Sequence, residues 1–80
     1  MKIPRDLGAP ELVKILGKFE DFETRQTRSH IRLTRKGTSE NHITIPNHRQ
    51  IKIGTLNNIL NEISQQLDIP KKELIEKLFN

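Results

Sequence analysis

The apolar residues of this chain change their repeat twice, and that change limits the folds open to it. Leu12, Val13, Ile15, Leu16 and Phe19 recur at helical spacing, with Lys14, Gly17 and Lys18 facing away. Between residues 21 and 45 the repeat becomes two: Phe22 and Thr24, then Ile31 and Leu33, then Ile43 and Ile45 alternate with polar side chains. Beyond Pro46 it becomes helical again, through Ile53, Leu56, Ile59, Leu60, Ile63 and Leu67. One helix, three strands and further helices define an α+β domain, an antiparallel sheet with helices on one face.

The breaks agree with this order. Pro10 and Glu11 suit a first helical turn, where a missing N–H costs nothing and a carboxylate meets the positive end of the dipole. Thr27-Arg28-Ser29 and Lys36-Gly37-Thr38-Ser39-Glu40 have hairpin length, and Pro46 closes the third strand because it cannot donate to the ladder. The second helix is expected to cap near Gly54 or Thr55, with Ile53 packing back on its first turn. Asp68-Ile69-Pro70 interrupts the pattern before a third helix over residues 70–79, supported by Leu74, Ile75 and Leu78. Eighty residues make a single domain, 1–80, whose small core removes only roughly 60% of the unfolded surface from water.

If Ile31, Leu33, Ile43 and Ile45 point to the helices, then His30, Arg32, Thr34, His42 and Thr44 point to solvent. A turn centred on Thr38 sets Leu33 opposite Ile43 and Arg32 opposite Thr44, with His30 near Pro46. Charge concentrates in the same stretch. Residues 24–53 hold seven Lys/Arg against one acid, +6, whereas residues 1–23 hold four against five and residues 54–80 three against four, −1 each. A solvated face with no partner is the plain alternative, but the segregation favours a polyanion. No segment has the apolar length of a membrane span, residues 1–10 lack a signal-peptide core, and the absence of cysteine suits a reducing compartment, so the cytoplasm is the expected location.

His30 has Arg28 and Arg32 as cationic neighbours, with Arg25 a third candidate. It can be a merely polar strand residue. It can be a metal ligand with His42 and His48, although spacings of 12 and 6 residues match no compact ligand motif and no carboxylate sits beside them, so no metal or other cofactor is expected. Or it can transfer protons on a phosphodiester. RNA carries its own nucleophile, the 2′-hydroxyl, so a protein need supply only a base and cations. Ser29 is placed to donate to a phosphate oxygen, although a serine at a turn is often only a turn residue. Phe19, Phe22 and Phe79 fall on apolar faces and there is no Trp or Tyr, which removes the usual stacking platforms and leaves recognition to the backbone.

The stretches ELVKIL (11–16), SHIRLTRKG (29–37), HITIPNH (42–48) and KIGTLNNIL (52–60) together resemble the HicA-type (YcfA-like) mRNA interferase toxins of toxin–antitoxin systems. The resemblance implies a double-stranded-RNA-binding-domain-like fold and a ribosome-independent endoribonuclease acting through the histidine of a Gly-Ser-His motif, here His30. It also implies a HicB-type antitoxin that covers this site. Arg28 stands where the family usually has glycine, so the turn is either remodelled or strained. Two other classes remain open: an RNA-binding module of the same fold without catalysis, and a protein-interaction domain with a basic face for an acidic partner.

Arg25, Arg28, Arg32, Arg35, Lys36 and Arg49, with Ser29, are the expected backbone contacts. RNA affinity is therefore expected to fall steeply with salt, and loss of a contacting arginine to weaken binding and reduce the slope of log K against log salt by about 1. Titrations at several ionic strengths measure both.

Overall fold

The computed structural model describes residues 3, 4, 6–35 and 42–79; Lys36 and the expected turn at 36–40 lie outside them. The elements are α1 (Ala9–Phe19), β1 (Phe22–Gln26), β2 (His30–Arg35), β3 (His42–Pro46), α2 (Ile53–Leu67) and α3 (Lys71–Phe79). The sheet is antiparallel with order β1-β2-β3. Ile31 faces Ile45, Leu33 faces Ile43, Arg32 faces Thr44 and His30 faces Pro46, the register expected from the alternation. No helix among the described residues is long and apolar enough to cross a membrane.

One core lies between the sheet and the helices. Leu12 and Leu16 from α1, Leu56, Ile59, Leu60 and Ile63 from α2, and Leu74, Ile75 and Leu78 from α3 are buried with Ile31, Leu33, Ile43 and Ile45. No polar or charged residue is buried among those described, so apolar burial carries the stabilisation, each such side chain contributing about 1.5–3 kcal/mol. The cover is uneven. Phe22 is half-buried, but Thr24 and Gln26, on the same side of β1, are exposed. The helices shield β2 and β3 and leave most of β1 in water.

Two expectations at the start of α2 are corrected. The N-cap is Lys52, without a side-chain cap bond, and not Gly54 or Thr55. Ile53 is 50% exposed, whereas Ile51, in the loop before α2, is 1% exposed. The cause is a tertiary clamp. The Ile51 N–H donates to the Leu7 carbonyl at 2.8 Å and the Ala9 N–H to the His48 carbonyl at 2.9 Å. These bonds hold the segment before α1 against the loop after β3, drive Ile51 into the core and turn Ile53 outward.

Gly8 lies at the centre of that clamp, where an added Cβ would overlap the Arg49 carbonyl oxygen and the Glu11 carboxylate. At the other end of α2, Asp68 caps the helix in the left-handed region (φ 55°, ψ 45°), its N–H bonded to the Gln65 and Ser64 carbonyls. These positions make opposite predictions. Gly8→Ala is expected to destabilise by about 1–3 kcal/mol, because a backbone carbonyl must move. Asp68→Gly is expected to stabilise by about 0.5–1 kcal/mol by removing a Cβ from a left-handed cap. Denaturant titrations of the two variants check both signs.

Candidate active site

The uncovered side of the sheet is laid out in three rungs. Thr27, His30 and Pro46 form one, Arg25, Arg32 and Thr44 the next, and Glu23, Thr34 and His42 the third. Alternate strand residues share a face, so consecutive rungs are about 6.8 Å apart. Arg25, Thr27, His30, Arg32 and Thr44 line one shallow depression; Glu23, Arg25, Arg32, Thr34 and His42 line a second. The two share the Arg25–Arg32 pair. Two guanidinium groups directly opposite each other repel, and an anion seated between them relieves that repulsion.

His30 opens β2, and its environment is built by the hairpin before it. Thr27 and His30 close a two-residue loop: the Thr27 N–H donates to the His30 carbonyl at 2.8 Å, and the Thr27 hydroxyl takes the His30 N–H at 3.1 Å. The loop itself is held from β3. The Asn47 N–H donates to the Ser29 carbonyl at 2.9 Å and its side-chain amide to the Arg28 carbonyl at 3.3 Å. Ser29 Oγ lies 2.9 Å from His30 Nδ1. That contact occupies one ring nitrogen and leaves Nε2 for a ligand.

The structure resolves the question raised by Arg28. Among the described residues the only non-glycine with positive φ is Asp68, so Arg28 and Ser29 both turn the chain with negative φ. The loop carries no left-handed strain. The type I′ and II′ geometries that need glycine are not used here, and the side-chain bonds of Thr27 and Asn47 hold the turn in their place.

Of the residues expected to contact RNA, Arg25 and Arg32 join His30 in one depression, and Arg28 and Ser29 sit on the adjoining loop. Arg49 is exposed on the loop after β3, with its carbonyl against Gly8. Arg35 stands apart from this depression. It pairs with Phe22 across the sheet, on the helix side, and forms an ion pair with Glu20 at 3.6 Å. Strand parity takes it there: if Arg32 faces solvent, residue 35 faces the other way. Lys36 lies outside the described residues.

Four residues near the site were not singled out by sequence. Thr27 and Asn47 shape the loop, and Thr34 Oγ1 lies 2.9 Å from His42 Nδ1. Glu23, counted with an acidic flank, stands on the outer face beside Arg25. Parity alone places Glu23 and Thr34 there, but the bonds of Thr27 and Asn47 have no local signal. Among the described residues no group of three or more His, Asp or Glu side chains is arranged to hold a metal ion.

Residues 9–65 match the HicA toxins of bacterial toxin–antitoxin systems, a stretch that takes in α1, the whole sheet and all but the last two residues of α2. The chain belongs to that family. No curated protein and no solved structure matches it.

An unstrained turn has a measurable consequence. Arg28→Gly, which restores the residue usual in the family, is expected to lower stability by about 0.4–1 kcal/mol through the added freedom of the unfolded chain. A higher melting temperature for this variant would show that the turn is strained after all.

Proposed function

We propose that the protein is an mRNA-cleaving toxin, a cytoplasmic endoribonuclease in which His30 transfers the protons, and that a HicB-type antitoxin neutralises it by covering the outer face of the sheet. The observation that carries this reading is the position of His30, exposed, anchored through Nδ1 and in one depression with two arginines. Membership of a toxin family supplies the biological setting.

The chemistry follows from what RNA provides. With Nδ1–H donating to Ser29 Oγ, His30 Nε2 carries a lone pair and takes the proton of a 2′-hydroxyl. The 2′-oxygen attacks the adjacent phosphorus, the bond to the 5′-oxygen breaks, and the products are a 2′,3′-cyclic phosphate and a 5′-hydroxyl. Arg25 and Arg32 stabilise the charge that builds on the phosphoryl oxygens. The leaving oxygen needs a proton, and the same ring can return it. Once it has taken the 2′-proton the ring is imidazolium, with Nδ1–H still donating to Ser29 Oγ, and its Nε2–H gives the proton to the departing 5′-oxygen. One hydroxyl thus serves both halves of the reaction. No metal or other cofactor enters the scheme.

The rival reading is RNA binding without cleavage. It draws on one fact: among the described residues that line the depression, His30 is the sole side chain suited to proton transfer near neutral pH.

Cleavage of RNA in EDTA separates the two. His30→Ala, folded by circular dichroism, is expected to lose about 10²–10⁴ in rate; equal rates for variant and parent would remove His30 from the mechanism. Ser29→Ala is expected to lower kcat with little change in KM, and Ser29→Thr, which keeps the hydroxyl, to recover most of it.

A further inference from the structure

The second depression contains a feature that phosphate binding does not require. Glu23 is the one carboxylate among the described residues of the outer face, and it has no hydrogen bond or ion pair among the described residues. Beside Arg25 it weakens the attraction for a phosphate. A carboxylate accepts hydrogen bonds and donates none. Among the donors of RNA bases it can meet an exocyclic amine, which adenine, guanine and cytosine carry and uracil lacks; the one base donor of uracil, N3–H, is flanked by two carbonyl oxygens that a carboxylate repels.

The rest of the depression suits a base more than a phosphate. The His42 ring is held by Thr34 Oγ1 at 2.9 Å, and its main-chain carbonyl accepts from Gln66 Nε2, on α2, at 3.1 Å. A ring held by one side-chain hydrogen bond, on a strand whose backbone is tied to α2, offers a plane on which a base can stack. The third rung lies two rungs from His30, about 13.6 Å along the strands. An extended RNA strand with its scissile phosphate at His30, within reach of the Arg25 and Arg32 side chains on the next rung, runs on to bring the nucleotide beyond the next phosphate to Glu23 and His42.

We propose that Glu23, with His42 as a platform, forms a base-reading subsite two nucleotides from the cut, which accepts an amine-bearing base and rejects uracil. This deepens the ribonuclease reading: recognition rests mainly on the backbone, with one position that discriminates.

The test uses a set of oligouridylates in which a single cytidine is walked along the strand. Cytidine and uridine differ at the group in question, an amine against a carbonyl oxygen that a carboxylate repels. Cleavage is expected to rise about 10-fold when the cytidine lies two nucleotides from the cut. Glu23→Gln is expected to erase that preference while still cleaving the cytidine substrate, because a carboxamide can accept from cytosine or donate to uracil. A preference that persists unchanged in Glu23→Gln, or none in the parent, overturns the subsite. Binding of the same oligonucleotides to His30→Ala separates the two proposals: a cytidine preference there that Glu23→Gln removes supports the subsite even if the parent never cleaves, and equal affinity for all of them overturns it.

Discussion

The pairing of Ile31 with Ile45 and of Leu33 with Ile43 is the constraint on which the rest of the molecule depends. These four side chains are at most 3% exposed and form the sheet's share of the core. A slip of one residue in either strand would carry that strand's apolar set into water and its polar set under the helices. The same pairing aligns His30, Arg32 and Thr34 on the open side. Placement of the outer-face residues and core formation are therefore one event in folding.

A second layer of constraint comes from outside the sheet. The segment before α1 is bonded to the loop after β3, and the start of that loop is bonded through Asn47 to the hairpin that presents Ser29 and His30. Residues distant in sequence thus hold the geometry around one imidazole. Such support matters because proton transfer demands placement within hydrogen-bond reach, and a hairpin loop on its own is a loose mount.

Alternation in β2 and β3 is strict, and the face, the register and the exposure of His30 were legible from it. Arg35 was grouped with the other cations by its charge, and its place in the alternation sets it on the helix side, beside Glu20. Ile51 and Ile53 exchanged roles because two backbone bonds to the segment before α1 decide which of them is buried, and the helical pattern carries no trace of those bonds. Arg28 could be read only as a departure. How the loop dispenses with glycine depends on Asn47, 19 residues away. The partners of His42 were hidden for the same reason, since cross-strand and helix-to-strand bonds exist only after the sheet has formed.

β1 supplies Glu23 and Arg25 to the outer face, yet apart from Phe22 every one of its residues is exposed. Its contribution to the core is small, so its side chains can be exchanged at little cost to the folded state. The other two strands have no such freedom, because every second residue in them is committed to the interior. In a lineage of these toxins, new target preferences would be expected to arise first along this margin, with the chemistry held constant on the strand beside it.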